Sequence, residues 1–148
     1  MVPQFEAPAN RNCAPHHLVA WFGGKWPWRA IKTARGTTPA RSAETNLDVN
    51  VTMSEAQYLR VGNTVVVSGR FTANPTLPAT ATSFEATLPI ASNIGAAEDV
   101  AGTAFCGSIA GQGAEVIGVA ANDTFKVQWV AGDTTDQTWS YCFAYQVI

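Results

Sequence analysis

Histidine occurs twice in this 148-residue chain, as the neighbouring pair His16-His17, three residues beyond Cys13. The run Cys13-Ala-Pro-His16-His17 sets metal-ligating residue types close together. Structural zinc takes four ligands, commonly as two spaced pairs, and the chain holds no second Cys/His pair. The same histidines would have to be the base of any Ser-His-Asp or Cys-His relay, yet they lie far in sequence from the strand-forming residues that would preorganise one. Glu85, Glu98, Asp99, Glu115, Asp123, Asp133 and Asp136 are of the type that cleaves glycosides in pairs. Most adjoin turn residues, where solvated carboxylates are expected. Gly111-Gln112-Gly113 lacks the longer dinucleotide pattern and a following helix, and no P-loop is present. The expectation is a non-enzymatic protein with no metal and no cofactor.

A different chemistry is concentrated near the start. Trp21, Phe22, Trp26 and Trp28 are interleaved with Lys25 and Arg29, and Arg35 and Arg41 follow. Disordered tails are poor in aromatics, whereas Trp and Arg dominate binding hot spots. These residues form the candidate partner-binding set. Basic and aromatic residues together also suit single-stranded nucleic acid, but the acidic remainder of the chain opposes a phosphate backbone. An interfacial membrane segment would need a sustained amphipathic helix. Neither nucleic acid nor membrane is expected, and a protein partner with an acidic, partly apolar groove fits best.

The charge divides sharply. Residues 1–45 hold six basic residues against Glu6 and Glu44, a net of +4; residues 46–148 hold three against nine acidic ones, a net of −6. Pro3, Pro8, Pro15, Pro27 and Pro39 break any helix longer than about ten residues in the first part. They leave room for a short helical turn around His17–Trp21, ended by Gly23-Gly24. No strand alternation persists there either, so residues 1–45 read as an extended arm and 46–148 as the folded head. At about 3.3 Å per residue such an arm could reach on the order of 150 Å.

Apolar residues make up 47% of the chain and charged ones only 14%, against roughly 25% charged in an average domain. With 12 Gly and 8 Pro, this suits a turn-rich β protein. No apolar run approaches the ~20 residues of a membrane span. Leu18–Phe22 is also shorter than the core of about 7–15 apolar residues in a signal peptide, so neither spanning nor secretion by that route is expected. Three widely spaced cysteines read as reduced thiols behaving as small apolar residues, with a Cys106–Cys142 bridge as the alternative.

Alternation with period two begins at Leu47-Asp-Val-Asn-Val-Thr-Met53. Strands are predicted over Ala56–Val61 and Thr64–Thr72, joined by a Gly62-Asn63 turn. Others are predicted over Ser83–Leu88, Val100–Ala110, Glu115–Ala120 and Thr124–Val130. In the last segment Trp139, Tyr141, Phe143, Tyr145 and Val147 face one way and Ser140, Cys142, Ala144 and Gln146 the other. Both sets lack charge, which predicts a central strand. Eight strands with short loops predict an all-β, two-sheet antiparallel sandwich of jelly-roll type, preceded by the arm; a closed barrel is the alternative.

Several of these runs resemble known domains. Tyr58–Phe71 (Tyr-Leu-Arg-Val-Gly-Asn-Thr-Val-Val-Val-Ser-Gly-Arg-Phe), Ala81–Asn93, Ala101-Gly-Thr-Ala104 and the closing Phe143-Ala-Tyr-Gln-Val-Ile148 resemble β-sandwich domains of tailed-bacteriophage virion proteins, found in small capsid decoration (cement) proteins and at tail-fibre ends. The likeness spans roughly residues 55–148 and does not reach the arm. It implies a trimeric, jelly-roll-like module with no cofactor and no catalytic residue. A chain from Met1 to the final strand reads as a whole gene product without room for a fibre shaft, which favours the cement role over a tail-fibre or baseplate receptor- or glycan-binding module. The arm would then staple subunits of the major capsid protein on the virion surface, after synthesis in the host cytoplasm, while three heads associate. Deleting residues 1–45 is expected to leave a folded head that no longer decorates capsids.

Overall fold

The computed structural model describes residues 32–35, 38–48 and 51–148. Among the described residues the regular structure is ten strands and one short 3-10 turn: β1 (Lys32–Arg35), β2 (Arg41–Thr45), β3 (Thr52–Met53), β4 (Gln57–Val61), β5 (Thr64–Ala73), β6 (Ala81–Thr87), the turn Ala97–Asp99, β7 (Val100–Cys106), β8 (Gly113–Val119), β9 (Thr124–Val130) and β10 (Gln137–Gln146). The β-branched run Val65-Val66-Val67 falls in β5, where a pleated surface suits side chains stiff at χ1. Gly62 carries a positive φ of 63° in the two-residue loop between β4 and β5, a conformation glycine adopts without steric cost.

All pairings are antiparallel and form one ladder in the order β1-β4-β5-β10-β7-β8-β9-β6-β2, with β3 beside the end of β5. The sandwich prediction expected two separate sheets. Here β8 and β9 carry the hydrogen bonding without a break from one half to the other.

Aromatic packing shows that this sheet is curled into a half-barrel. Five inter-strand steps separate β5 from β6, about 24 Å if the sheet were flat. Yet the rings of Phe71 and Phe84 are 4.8 Å apart and nearly perpendicular. Trp129 of β9 and Trp139 of β10 lie 5.0 Å apart, and Phe125 and Phe143 lie 4.6 Å apart. The inward set of β10, Trp139, Tyr141, Phe143 and Tyr145, is buried against these rings. Offset and edge-on ring pairs of this kind add about 0.5–1.5 kcal/mol each beyond area burial. β10 is central in the ladder, between β5 and β7.

The predicted arm is where the structure departs most from the sequence reading. Its last residues, 32–45, supply both outer strands: β1 pairs with β4, and β2 pairs with β6 at the far edge. The 45/46 boundary is therefore not an edge of the sheet. Six Cα steps from Arg35 to Arg41 span at most about 22 Å, so the two edges approach each other. Eight strands do follow residue 46, as expected. Of the alternating stretch from Leu47, the described residues pair through a bridge between Leu47 and Pro75, a hydrogen bond from the Asp48 amide to the Asn74 carbonyl, and β3.

Candidate interaction surfaces

The candidate partner-binding residues separate into two groups. Trp21, Phe22, Lys25, Trp26, Trp28 and Arg29 lie outside the described residues, as do Cys13, His16 and His17 and the helical turn expected beside them. Arg35 ends β1, in register with Gln57, while Arg41 opens β2 in register with Ala86 at the opposite edge. Arg41 is exposed, and its guanidinium is ion-paired with the Glu44 carboxylate of the same strand. A surface pair of this kind contributes about 0–1 kcal/mol.

Most of the carboxylates considered for catalysis are engaged locally. Glu85 Oε2 accepts hydrogen bonds from Asn122 Nδ2 and Thr124 Oγ1. Asp123 accepts from the Ile94 amide, and Asp99 from the amides of Gly95 and Ala96. Glu115 Oε2 accepts from Gln128 Nε2 at 2.9 Å. The Thr135 amide and hydroxyl hold the Asp133 carboxyl below its ordinary value by donating to it. These acids fix turns and cross-strand pairs. Among the described residues no three His, Cys, Asp or Glu side chains converge as a metal site.

Cys106 stands in register with Trp139, whose ring points inward, whereas Cys142 alternates with the inward aromatics of β10 and is exposed on the outer face. Both thiols are free. Side chains on opposite faces of a sheet cannot form the bridge kept as an alternative.

Sequence reasoning missed the outer face of β4, β5, β10 and β7. The uncharged outward set of β10 pointed only to a central strand; in the fold Ser140, Cys142 and Gln146 are exposed. Cross-strand register lines up Leu59, Val66, Ala144, Ala101 and Ile117 as one apolar row across five strands. Leu59 is 38% and Val66 41% exposed. Gln57, Ser68, Cys142 and Thr103 form a parallel polar row. The one charge on the outward positions of these four strands is Arg70, near one end. The available signal was the alternation itself, but only the ladder order shows that uncharged positions from separate strands adjoin.

On the β7 edge of this face, Phe105 is 66% exposed and in register with Ser140. It stands opposite Gly113, which has no side chain to cover the ring. Together with Thr103 and Glu115 they line a shallow, open depression of about 550 Å³.

Set against known proteins, the chain stands apart: no family model, no curated protein and no solved structure matches it. Among the described residues no helix is long and apolar enough to cross a membrane.

Proposed function

We propose that this chain is a non-enzymatic structural protein of a tailed-phage virion. In this reading it is a capsid decoration protein whose N-terminal arm anchors on and staples major capsid subunits, and whose jelly-roll-like head forms a homotrimer. It is made in the host cytoplasm and carried on the capsid surface. The resemblance of residues 55–148 to phage β domains suggests the setting. The observation that carries the anchoring role is the rooting of the cationic, Trp-bearing segment. β1 begins four residues after Trp28 and hydrogen-bonds along the edge of β4. A hot-spot segment tied so closely to a sheet loses less freedom on binding than one on a long free tether.

The test uses the full chain with Trp21, Trp26 and Trp28 replaced by alanine, added to capsids of the encoding phage that lack the protein. Occupancy measured by co-sedimentation should collapse. Undiminished occupancy would sink the anchor.

Phe105 favours a second reading, a receptor- or glycan-binding module of a tail fibre or baseplate. An exposed ring beside the Glu115–Gln128 hydrogen-bonded pair offers a stacking platform with polar groups at its rim. Glycan-array binding by the full chain, lost on Phe105→Ala, would replace the cement role.

A further inference from the structure

We infer that the uncharged outer face of β4, β5, β10 and β7 is where copies of this chain meet. This rests on the self-association included in the proposed function and assigns it to a surface.

Size is the first argument. Strands β4, β5, β10 and β7 have 5, 10, 10 and 7 residues; at about 3.3 Å per residue and about 4.8 Å spacing they offer roughly 500 Å² before side-chain relief, and β8 with Ile117 brings the face to roughly 600 Å². A stable interface takes roughly 800 Å² from each partner.

Charge selects the occupant. Residues 46–148 carry nine acidic side chains against three basic ones. Glu98, Asp99 and Asp123 lie in loops bordering β7 and β9, and Asp133 and Asp136 in the connection between β9 and β10. Two heads meeting through those loops would set carboxylate against carboxylate, at a cost in affinity. On the outer face of these four strands they meet no acid, and Glu115 of β8, in register with Thr103 at the border, is already hydrogen-bonded to Gln128. The basic arm, by contrast, gains nothing there, because Lys25 and Arg29 find no opposite charge.

The polar rows also suit a like partner. Hydroxyl and amide groups both donate and accept hydrogen bonds. The row of Gln57, Ser68 and Thr103 can therefore bond to hydroxyl and amide groups of neighbouring copies around a three-fold axis, flanking an apolar centre at Leu59, Val66 and Ala144.

Sedimentation equilibrium of the full chain provides the test, with Cys142 as reporter in a Cys13→Ser background. The wild-type protein should sediment as a multiple of the 15.7 kDa monomer, with Cys142 protected from alkylation. Val66→Asp, which sets like charges in the middle of the contact, should reduce the mass to that of the monomer and remove the protection. Val130→Asp, at an exposed apolar position on β9 outside the face, should change neither. Ser68→Glu, at an exposed outward position, makes the same test should Val66→Asp fail to fold. If the assembly persists in these variants with Cys142 freely alkylated, the face is wrong while self-association stands. A monomeric wild-type chain overturns both.

Discussion

Gly69 of β5 stands directly opposite Tyr141 of β10, and a Cβ at Gly69 would lie 2.4 Å from the phenolic oxygen. The ring of Tyr141 thus occupies the space a side chain would fill. Gly102, on the other neighbour of β10, likewise leaves room for Phe143. Glycine weakens a strand by roughly 0.5–1 kcal/mol relative to alanine. Overpacking a core costs about 1–3 kcal/mol, and the clash wins. Gly69→Ala should lower the urea midpoint; an unchanged or higher midpoint would show that the Tyr141 ring can move aside.

Tyr141 has a buried hydroxyl without a hydrogen-bond partner among the described residues. Tyr141→Phe deletes an unsatisfied polar atom, so stability should change by less than about 1 kcal/mol or rise. Desolvation pushes the Tyr141 phenol up to about 12. The unfolded chain, with a phenol near 10, ionises first. Stability from this group is therefore intact below pH 10 and declines as pH climbs from about 10 towards about 12. Burial also raises Tyr145, opposed by its hydrogen bonding to Ile90. Denaturant melts across this window should show a shallower alkaline loss for Tyr141→Phe than for wild type.

Asn46 ties the exit of β2 to the loop before β6. Its φ is 55°. Its amide donates to the Leu77 carbonyl at 2.9 Å and to Thr82 Oγ1 at 2.7 Å, while Oδ1 accepts from the Leu77 amide at 2.8 Å and from Thr76 Oγ1 at 2.7 Å. The side chain thus pairs with Leu77 much as a strand backbone would. Asn46→Ala loses these bonds and keeps a left-handed backbone that suits alanine poorly, a loss of about 2–4 kcal/mol. Asn46→Gly relieves only the backbone part, so its thermal midpoint should fall between the two.

Truncation should distinguish two kinds of N-terminal residue. Removing residues 1–31 leaves the ten strands of the described residues in place and should keep the melting temperature within a few degrees. Removing 1–45 strips β1 from β4 and β2 from β6, baring two edges of the ladder. Bare edges pair with other chains, so that protein should melt earlier and aggregate, contrary to the intact head expected from sequence. Equal melting of the two truncations would show that β1 and β2 contribute nothing.

Much of the head is legible in the sequence because inside and outside alternate locally. Thr124–Val130 is a strand as predicted, and β5 departs from its predicted span by one residue. Trp139, Tyr141, Phe143 and Tyr145 are buried together, as their spacing required. β1 and β2 were not legible. They are short, and their partners lie far along the chain, with Lys32 opposite Arg60 and Arg41 opposite Ala86. All five residues of β2 are exposed, and its register shifts between Ser42 and Thr45, so no burial pattern marked it.

For this protein the sequence alone determined which side chains of β10 turn inward, because a period of two is a property of neighbouring residues. Tertiary structure decided the order of strands, the curl that brings Phe71 onto Phe84, and the merging of scattered uncharged positions into one exposed face. Those depend on contacts between residues far apart in the chain, and no local pattern carries that information.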